Sequence, residues 1–213
     1  MTIKIDTFVL GPIENNTYLI TDSDTRKAAI IDPSIPSREM LDSIRGNGLM
    51  LTHILITHAH FDHIGGAAWL KKQLNDEPRV YLHHSDLQLW LDGGGARDFG
   101  LNFDSGRNPD VILGDDEQLK IGGLKCDMLR TPGHTPGHVT FYFPHSAAAF
   151  CGDLIFFHSV GRTDLSYSSQ DYLIRSITGK IFTLPEETVL YPGHGPTTTV
   201  GEEKANNPFL NNG

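Results

Sequence analysis

Residues 57–63 read Thr-His-Ala-His-Phe-Asp-His, directly after the apolar run His53-Ile54-Leu55-Ile56. That run with Thr57 predicts a buried strand, so the fold must bring a strand end to the surface here and leave room around it. His58 and His60 lie two apart on an extended segment and point to the same side. Asp62 and His63 fall where the next helix begins and turn toward the same space. Four metal-capable side chains within six residues mark a site, because loops at the ends of rigid strands present binding and catalytic groups.

The other candidates share that setting. Thr131-Pro132-Gly133-His134-Thr135-Pro136-Gly137-His138 follows a strand pattern ending at Arg130, Gly152-Asp153 follows one ending at Cys151, and Pro192-Gly193-His194-Gly195 follows one ending at Tyr191. Glycine there permits tight turns and close backbone approach. Imidazole nitrogens and carboxylate oxygens without thiolates suit Zn, Fe or Mn.

Periodicity places these motifs. Strand patterns are predicted at 3–9, 17–21, 28–32, 53–57, 80–82, 119–121, 125–130, 139–143, 147–151 and 189–191. Between them lie helical patterns: one capped by Ser37, carrying Met40, Leu41 and Ile44 and stopped by Gly46 or Gly48; one through Ala67, Ala68, Leu70 and Leu74; one capped by Ser85, carrying Leu87, Leu89 and Trp90; one over 172–181; and a short one over 200–205. Strand blocks with helices in both halves predict an α/β fold of two packed sheets with helices outside. The glycine-rich stretch 92–110 predicts a long surface loop, either at the mouth of a site or a plain connection.

The 213 residues fit one large domain or two small ones, and the net charge of -9 argues against a nucleic-acid partner. The N-terminus lacks the basic start and apolar run of a signal peptide, and no apolar stretch reaches the roughly 18 residues of a membrane span. A cytoplasmic protein, monomeric or weakly oligomeric, is expected. Cys126 and Cys151 sit in strand-like apolar contexts and are expected as buried, reduced thiols.

The order HxHxDH, His134, Asp153, His194 resembles the metallo-β-lactamase superfamily over nearly the whole chain, including Asp32 at an early strand end. The resemblance implies a single domain over residues 1–213, a four-layer αββα sandwich of two mixed sheets with a metal site at one edge. Gly161-Arg162-Thr163-Asp164, Tyr191-Pro192-Gly193-His194-Gly195-Pro196 and the ending Asn207-Pro208-Phe209 are similar to glyoxalase II, in its small single-domain bacterial form. Carried over by position, His58, His60 and His134 hold a first metal, Asp62, His63 and His194 a second, and Asp153 bridges them, with Asp62 and Asp153 the catalytic carboxylates. Asp32 and His138 stand behind these groups. Two divalent ions are implied, Zn first, with Fe or Mn also suited.

Two metals that share one water lower its pKa from 15.7 toward roughly 7, which gives a hydroxide nucleophile without Ser or Cys. A thiolate leaves without protonation, so a thioester suits such a site. The resemblance implies S-(2-hydroxyacyl)glutathione, such as S-D-lactoylglutathione, cleaved to a 2-hydroxy acid and glutathione. Larger glyoxalase II enzymes add a C-terminal helical domain, for which the 19 residues after His194 (213 − 194) are too few. They also place tyrosines after the last histidine and near the bridging aspartate, where Gly195-Pro196-Thr197 and Thr163-Asp164 stand here. Arg162 replaces a substrate-binding lysine and is expected to contact substrate. The alternatives are a glutathione persulfide dioxygenase with a single Fe and a non-catalytic metal-binding protein; a nuclease or a β-lactamase fits less well. His53 is expected to be structural, His83 and His84 solvated or capping, His145 a hairpin-turn residue, His158 without a role, and Phe150, Phe156 and Phe157 core.

Overall fold

A computed structural model describes residues 3–75 and 77–210. Burial alternates along its strands, and the alternation sorts apolar side chains into layers. Strands β1 (Ile3–Leu10), β2 (Asn15–Asp22), β3 (Lys27–Ile31), β4 (Met50–Leu55), β5 (Arg79–His83) and β6 (Val111–Leu113) form one sheet in that order. It is antiparallel from β1 to β3 and parallel from β3 to β6. A second sheet runs β14-β13-β10-β9-β8-β7, built from β7 (Gln118–Ile121), β8 (Leu124–Arg130), β9 (Val139–Phe143), β10 (Ala148–Gly152), β13 (Val189–Pro192) and β14 (Thr198–Thr199). β10 and β13 are its parallel pair. A short hairpin, β11 (Ile155–Phe156) and β12 (Ser159–Val160), follows β10.

Ala29 and Ile31 of β3, Ile20 of β2 and Leu55 of β4 pack against Met128, Phe141 and Phe150 of the second sheet. The alternate residues Ala28, Ile30, Leu19 and Ile54 turn the other way, onto α1 (Arg38–Gly46), α2 (Phe61–Ile64), α3 (Ala67–Gln73) and α4 (Leu87–Leu91). On the far side, Tyr142, Ala149, Cys151 and Leu190 meet Leu173 and Ile177 of α5 (Gln170–Gly179) and Val200 of α6 (Val200–Asn206). Three apolar interfaces therefore separate four layers, the αββα sandwich that was expected. In α1, Ser37 caps by accepting from the Met40 amide at 3.3 Å, and Met40, Leu41 and Ile44 are buried, each worth about 1.5–3 kcal/mol.

Several expectations shift. The strand placed at 53–57 is β4, which starts at Met50 and stops at Leu55. Thr57 already belongs to the turn, held by its amide donating to Asp32 Oδ1 at 2.8 Å. Ser85 caps no helix; it lies in a 3-10 turn in which the His83 side chain accepts from the Ser85 amide. The helix expected over 172–181 runs Gln170–Gly179, because Ser169 accepts from the Tyr172 amide. Phe157 is 47% exposed and not core, whereas Phe150 is fully buried. His53 stacks on Tyr81, His145 lies in the turn between β9 and β10, His83 is buried and paired with Asp115, and both cysteines are buried and free. Among the described residues, no helix is long and apolar enough to cross a membrane.

Candidate metal centre

The loops leaving β4, β8, β10 and β13 meet, and they carry all seven groups singled out in the sequence. His58, His60 and His134 form one set and Asp62, His63 and His194 another, with donor atoms within 4.8 Å of one another in each. In the first, His134 Nε2 lies 2.9 Å from His60 Nδ1. In the second, Asp62 Oδ2 lies 3.5 Å from both His63 Nε2 and His194 Nε2. Asp153 stands between the sets: Oδ1 is 3.5 Å from His63 Nε2, and Oδ2 is 3.7 Å from His134 Nε2 and from His194 Nε2. Its close quarters require glycine at 193, where a Cβ would collide with the Asp153 carboxylate and the His63 ring.

Each imidazole has its outward nitrogen tied. Asp32 Oδ2 holds His63 Nδ1 at 3.0 Å and the Thr57 hydroxyl at 2.6 Å, and Thr57 Oγ1 lies 3.0 Å from His58 Nδ1. A carboxylate only accepts, so the Thr57 hydroxyl donates to it and leaves its oxygen to accept from His58 Nδ1–H. His134 Nδ1 donates to the Arg162 carbonyl at 2.9 Å and His194 Nδ1 to the Ile13 carbonyl at 3.0 Å. His60 Nε2 meets the Tyr167 hydroxyl at 2.8 Å. In the neutral rings this turns the Nε2 lone pairs of His58, His63, His134 and His194 inward, and the Nδ1 lone pair of His60 as well where the Tyr167 hydroxyl accepts from its Nε2, the arrangement by which supporting hydrogen bonds orient metal-binding histidines. His58 Nε2 and Asp153 Oδ1 are buried without any hydrogen-bond partner, as donor atoms awaiting a cation would be. The donor chemistry and these orphaned atoms fit a bound metal pair.

The two sets differ in charge. Burial, reinforced by neighbouring imidazoles, keeps His58 well below the usual histidine range and His60 down at about 3. Burial works the same way on His63 and His194, but Asp153 and Asp62 outweigh it and raise both. Burial would raise Asp62 and Asp153 in turn; His63 above all overrules it, and both carboxyls sit below the usual carboxylate range.

The remaining candidates are less central. His138 is buried and stacks on the His58 ring with centroids 5.2 Å apart, while its Nδ1 pairs with Thr131 Oγ1 at 3.0 Å. Arg162 forks onto Asp164 at 2.7 and 2.8 Å and lies over the Phe99 ring. It lines a cleft of about 590 Å³ that opens onto both sets, at His60 and His134 and at Asp62, Asp153 and His194, and is walled by Ile13, Ile35, Phe61, Phe99, Leu101, Phe103 and Leu165. The glycine-rich loop thus supplies part of the cleft wall. Three groups were missed. Asn15 lies against the second set, with Nδ2 2.9 Å from Asp62 Oδ2. Tyr167 secures His60 from a position three residues beyond Asp164. Buried Asp86 accepts from the Ala59 amide at 2.9 Å, Thr135 Oγ1 at 2.7 Å and the Gly137 amide at 2.6 Å, clamping the β4 and β8 loops together.

A family profile described as the metallo-beta-lactamase superfamily matches residues 10–194. The chain belongs to this superfamily. Within it, the chain is 35% identical to the hydroxyacylglutathione hydrolase GloC of Haemophilus influenzae, over 98% of this chain and 99% of that one. Among solved structures of the superfamily, BLEG-1, described as a B3 metallo-beta-lactamase, superposes with a TM-score of 0.92 at 36% identity, covering 98% of this chain and all of its own. TTHA1623, solved in a di-iron-bound form, gives 0.84 at 39% identity, covering 96% of this chain and all of its own. A superfamily of metallo-hydrolases and a His/Asp cluster able to hold metal therefore agree.

Proposed function

We propose that the protein hydrolyses thioesters, with S-(2-hydroxyacyl)glutathione as its substrate, at a metal pair held by His58, His60 and His134 on one side, Asp62, His63 and His194 on the other, and Asp153 between. The observation that carries this reading is the convergence of seven donor groups whose imidazoles all have their outward nitrogens tied. A bound metal pair would supply an ionised water as nucleophile and a Lewis acid for the substrate carbonyl. Asp62 and Asp153, held ionised, have no proton to give a leaving group. A group that departs as a stable anion, such as a thiolate, meets that constraint; an amine or alkoxide does not. The cleft's apolar walls enclose the acyl part and exclude water. Its cation, Arg162, is exposed and, among the described residues, forms its ion pair with Asp164. Such a surface pair is worth about 1 kcal/mol or less, so the guanidinium is free to exchange Asp164 for a substrate carboxylate. The similarity to GloC supports the glutathione thioester.

A second reading, β-lactam hydrolysis, rests on the similarity to BLEG-1. Zn-, Fe- and Mn-loaded protein assayed on S-D-lactoylglutathione, other acyl thioesters and a penicillin, with oxygen uptake followed on glutathione persulfide, separates the readings. Thioester absorbance is expected to fall fastest with the hydroxyacyl glutathione substrate and to be abolished by chelation. Turnover of penicillin alone, oxygen uptake alone, or thioester cleavage that survives metal removal overturns the proposal.

A further inference from the structure

Asn15 opens β2, is 1% exposed, and its backbone bridges to His194. Its side chain closes the second set: Nδ2 lies 2.9 Å from Asp62 Oδ2, 3.3 Å from His63 Nε2 and 3.3 Å from His194 Nε2. When both imidazoles are neutral and donate from Nδ1, to Asp32 and to the Ile13 carbonyl, all three of these atoms present lone pairs to one point, and the amide head faces that point. The other end of the amide, Oδ1, is buried and has no hydrogen-bond partner. Leaving a buried acceptor unpaired costs about 1–3 kcal/mol, so the amide as oriented satisfies one end at the expense of the other.

A cation among the three donors reverses the balance. The N–H groups would then face a positive charge, while Oδ1 still had no partner. The two ends of a carboxamide are nearly equal in size, and its terminal torsion is roughly two-fold. A half-turn therefore exchanges nitrogen for oxygen within the same space and gives the orphaned oxygen a partner. We propose that Asn15 is an oxygen ligand of the second cation, turning its amide over when that cation binds. The inference rests on the reading above that Asp62, His63 and His194 hold a cation. It makes the second site richer in oxygen than the first, with Asp62, Asp153 and Asn15 beside two imidazoles. Harder ions such as Mn are favoured by that balance.

The test uses the full chain. Wild-type protein and Asn15→Leu are loaded with Zn or Mn, the bound metal is counted, and each site's affinity is measured by chelator competition. Wild type is expected to take up two ions. Asn15→Leu is expected to keep the first and to lose roughly 10–100-fold in affinity for the second. Crystals of metal-loaded wild type are expected to place Oδ1 within roughly 2.0–2.4 Å of the second ion, the range of oxygen ligands to such cations; this measurement stands even if Asn15→Leu does not fold. Two ions bound with the amide more than about 3 Å from the second, beyond any such bond, or an Asn15→Leu variant with unchanged second-site affinity, overturns the assignment of Asn15 and leaves the metal pair standing. Uptake of only one ion by wild type overturns the two-metal reading and the Asn15 assignment with it.

Discussion

Replacing Asp32 by asparagine keeps the size and shape of the side chain and changes the direction of its hydrogen bonds. Asp32 has φ +50, a conformation asparagine adopts readily, so the backbone is not disturbed. The retained oxygen at the Oδ1 position still accepts from the Thr57 amide. The new amide group takes the place of Oδ2, which now receives the Thr57 hydroxyl at 2.6 Å and His63 Nδ1 at 3.0 Å. An NH2 opposite a ring N–H is a clash of donors, so His63 relieves it by moving its proton to Nε2, the nitrogen that faces Asp62 and Asp153. Thr57 accepts from the new amide and turns its own hydroxyl proton toward His58 Nδ1, 3.0 Å away. His58 is then pushed to the wrong tautomer as well. The direct loss is a charge-assisted hydrogen bond, about 1.5–3 kcal/mol or roughly 10- to 150-fold in second-site affinity. The relayed loss is a neutral bond, about 0.5–1.5 kcal/mol or roughly 2- to 12-fold at the first site. Chelator competition with site-resolved metal counting reads both, and thermal melting of the metal-free variant checks that the fold survives. Wild-type affinity at both sites in a folded Asp32→Asn protein would refute the tautomer argument.

Asp153→Ala and His58→Ala are each expected to lose bound metal and nearly all turnover, read by elemental analysis beside the thioester assay; full metal content with full activity in either contradicts the site. Arg162→Ala keeps the carbonyl that holds His134 and removes only the guanidinium. It is expected to raise KM for glutathione thioesters about fivefold, the worth of an exposed ion pair near 1 kcal/mol, with kcat little changed; an unchanged KM removes Arg162 from substrate binding. Metal binding displaces protons from imidazoles, and the two sets differ in the protons they hold. Burial and neighbouring rings keep His60 near 3 and His58 well below its usual value, so these two rings have no proton to displace at neutral pH. His63 and His194 are raised by Asp153 and Asp62 against the effect of burial and stay protonated to higher pH. The second ion is therefore expected to leave first as pH falls below neutral, in a metal count across a pH series; simultaneous loss, or earlier loss of the first ion, counts against this charge assignment.

The fold was legible wherever burial writes a clear period into the chain. Ala148, Phe150, Ala149 and Cys151 divide cleanly between the two faces of β10, and β9 was placed to the residue. Elements too short to carry a period were not found: β6 has three residues, and β11, β12 and β14 two each. Such pieces hold their shape through what they pack against, as β6 does by pairing with β5. Their cause lies elsewhere in the chain.

The site divides along the same line. The seven groups that converge there were legible because each combines a metal-capable side chain with a strand end, and all but the residue 57–63 cluster are flanked by glycine. Asn15, Tyr167 and Asp86 offer no such local signature. Asn15 stands in Glu-Asn-Asn, which reads as a turn, Tyr167 in Ser-Tyr-Ser-Ser, which reads as loop, and Asp86 as the first-turn acid of a helix. Their partners lie 47, 107 and 51 residues away, at Asp62, His60 and Gly137. What they do is close the space between loops that the two sheets bring together, and that closure exists only once the sheets are stacked. The donors are written in the sequence; the groups that aim them are selected by topology. A substitution such as Tyr167→Phe, far from the metal-binding motif in sequence, should therefore loosen His60 and weaken the first site, because it removes the hydroxyl that pairs with His60 Nε2.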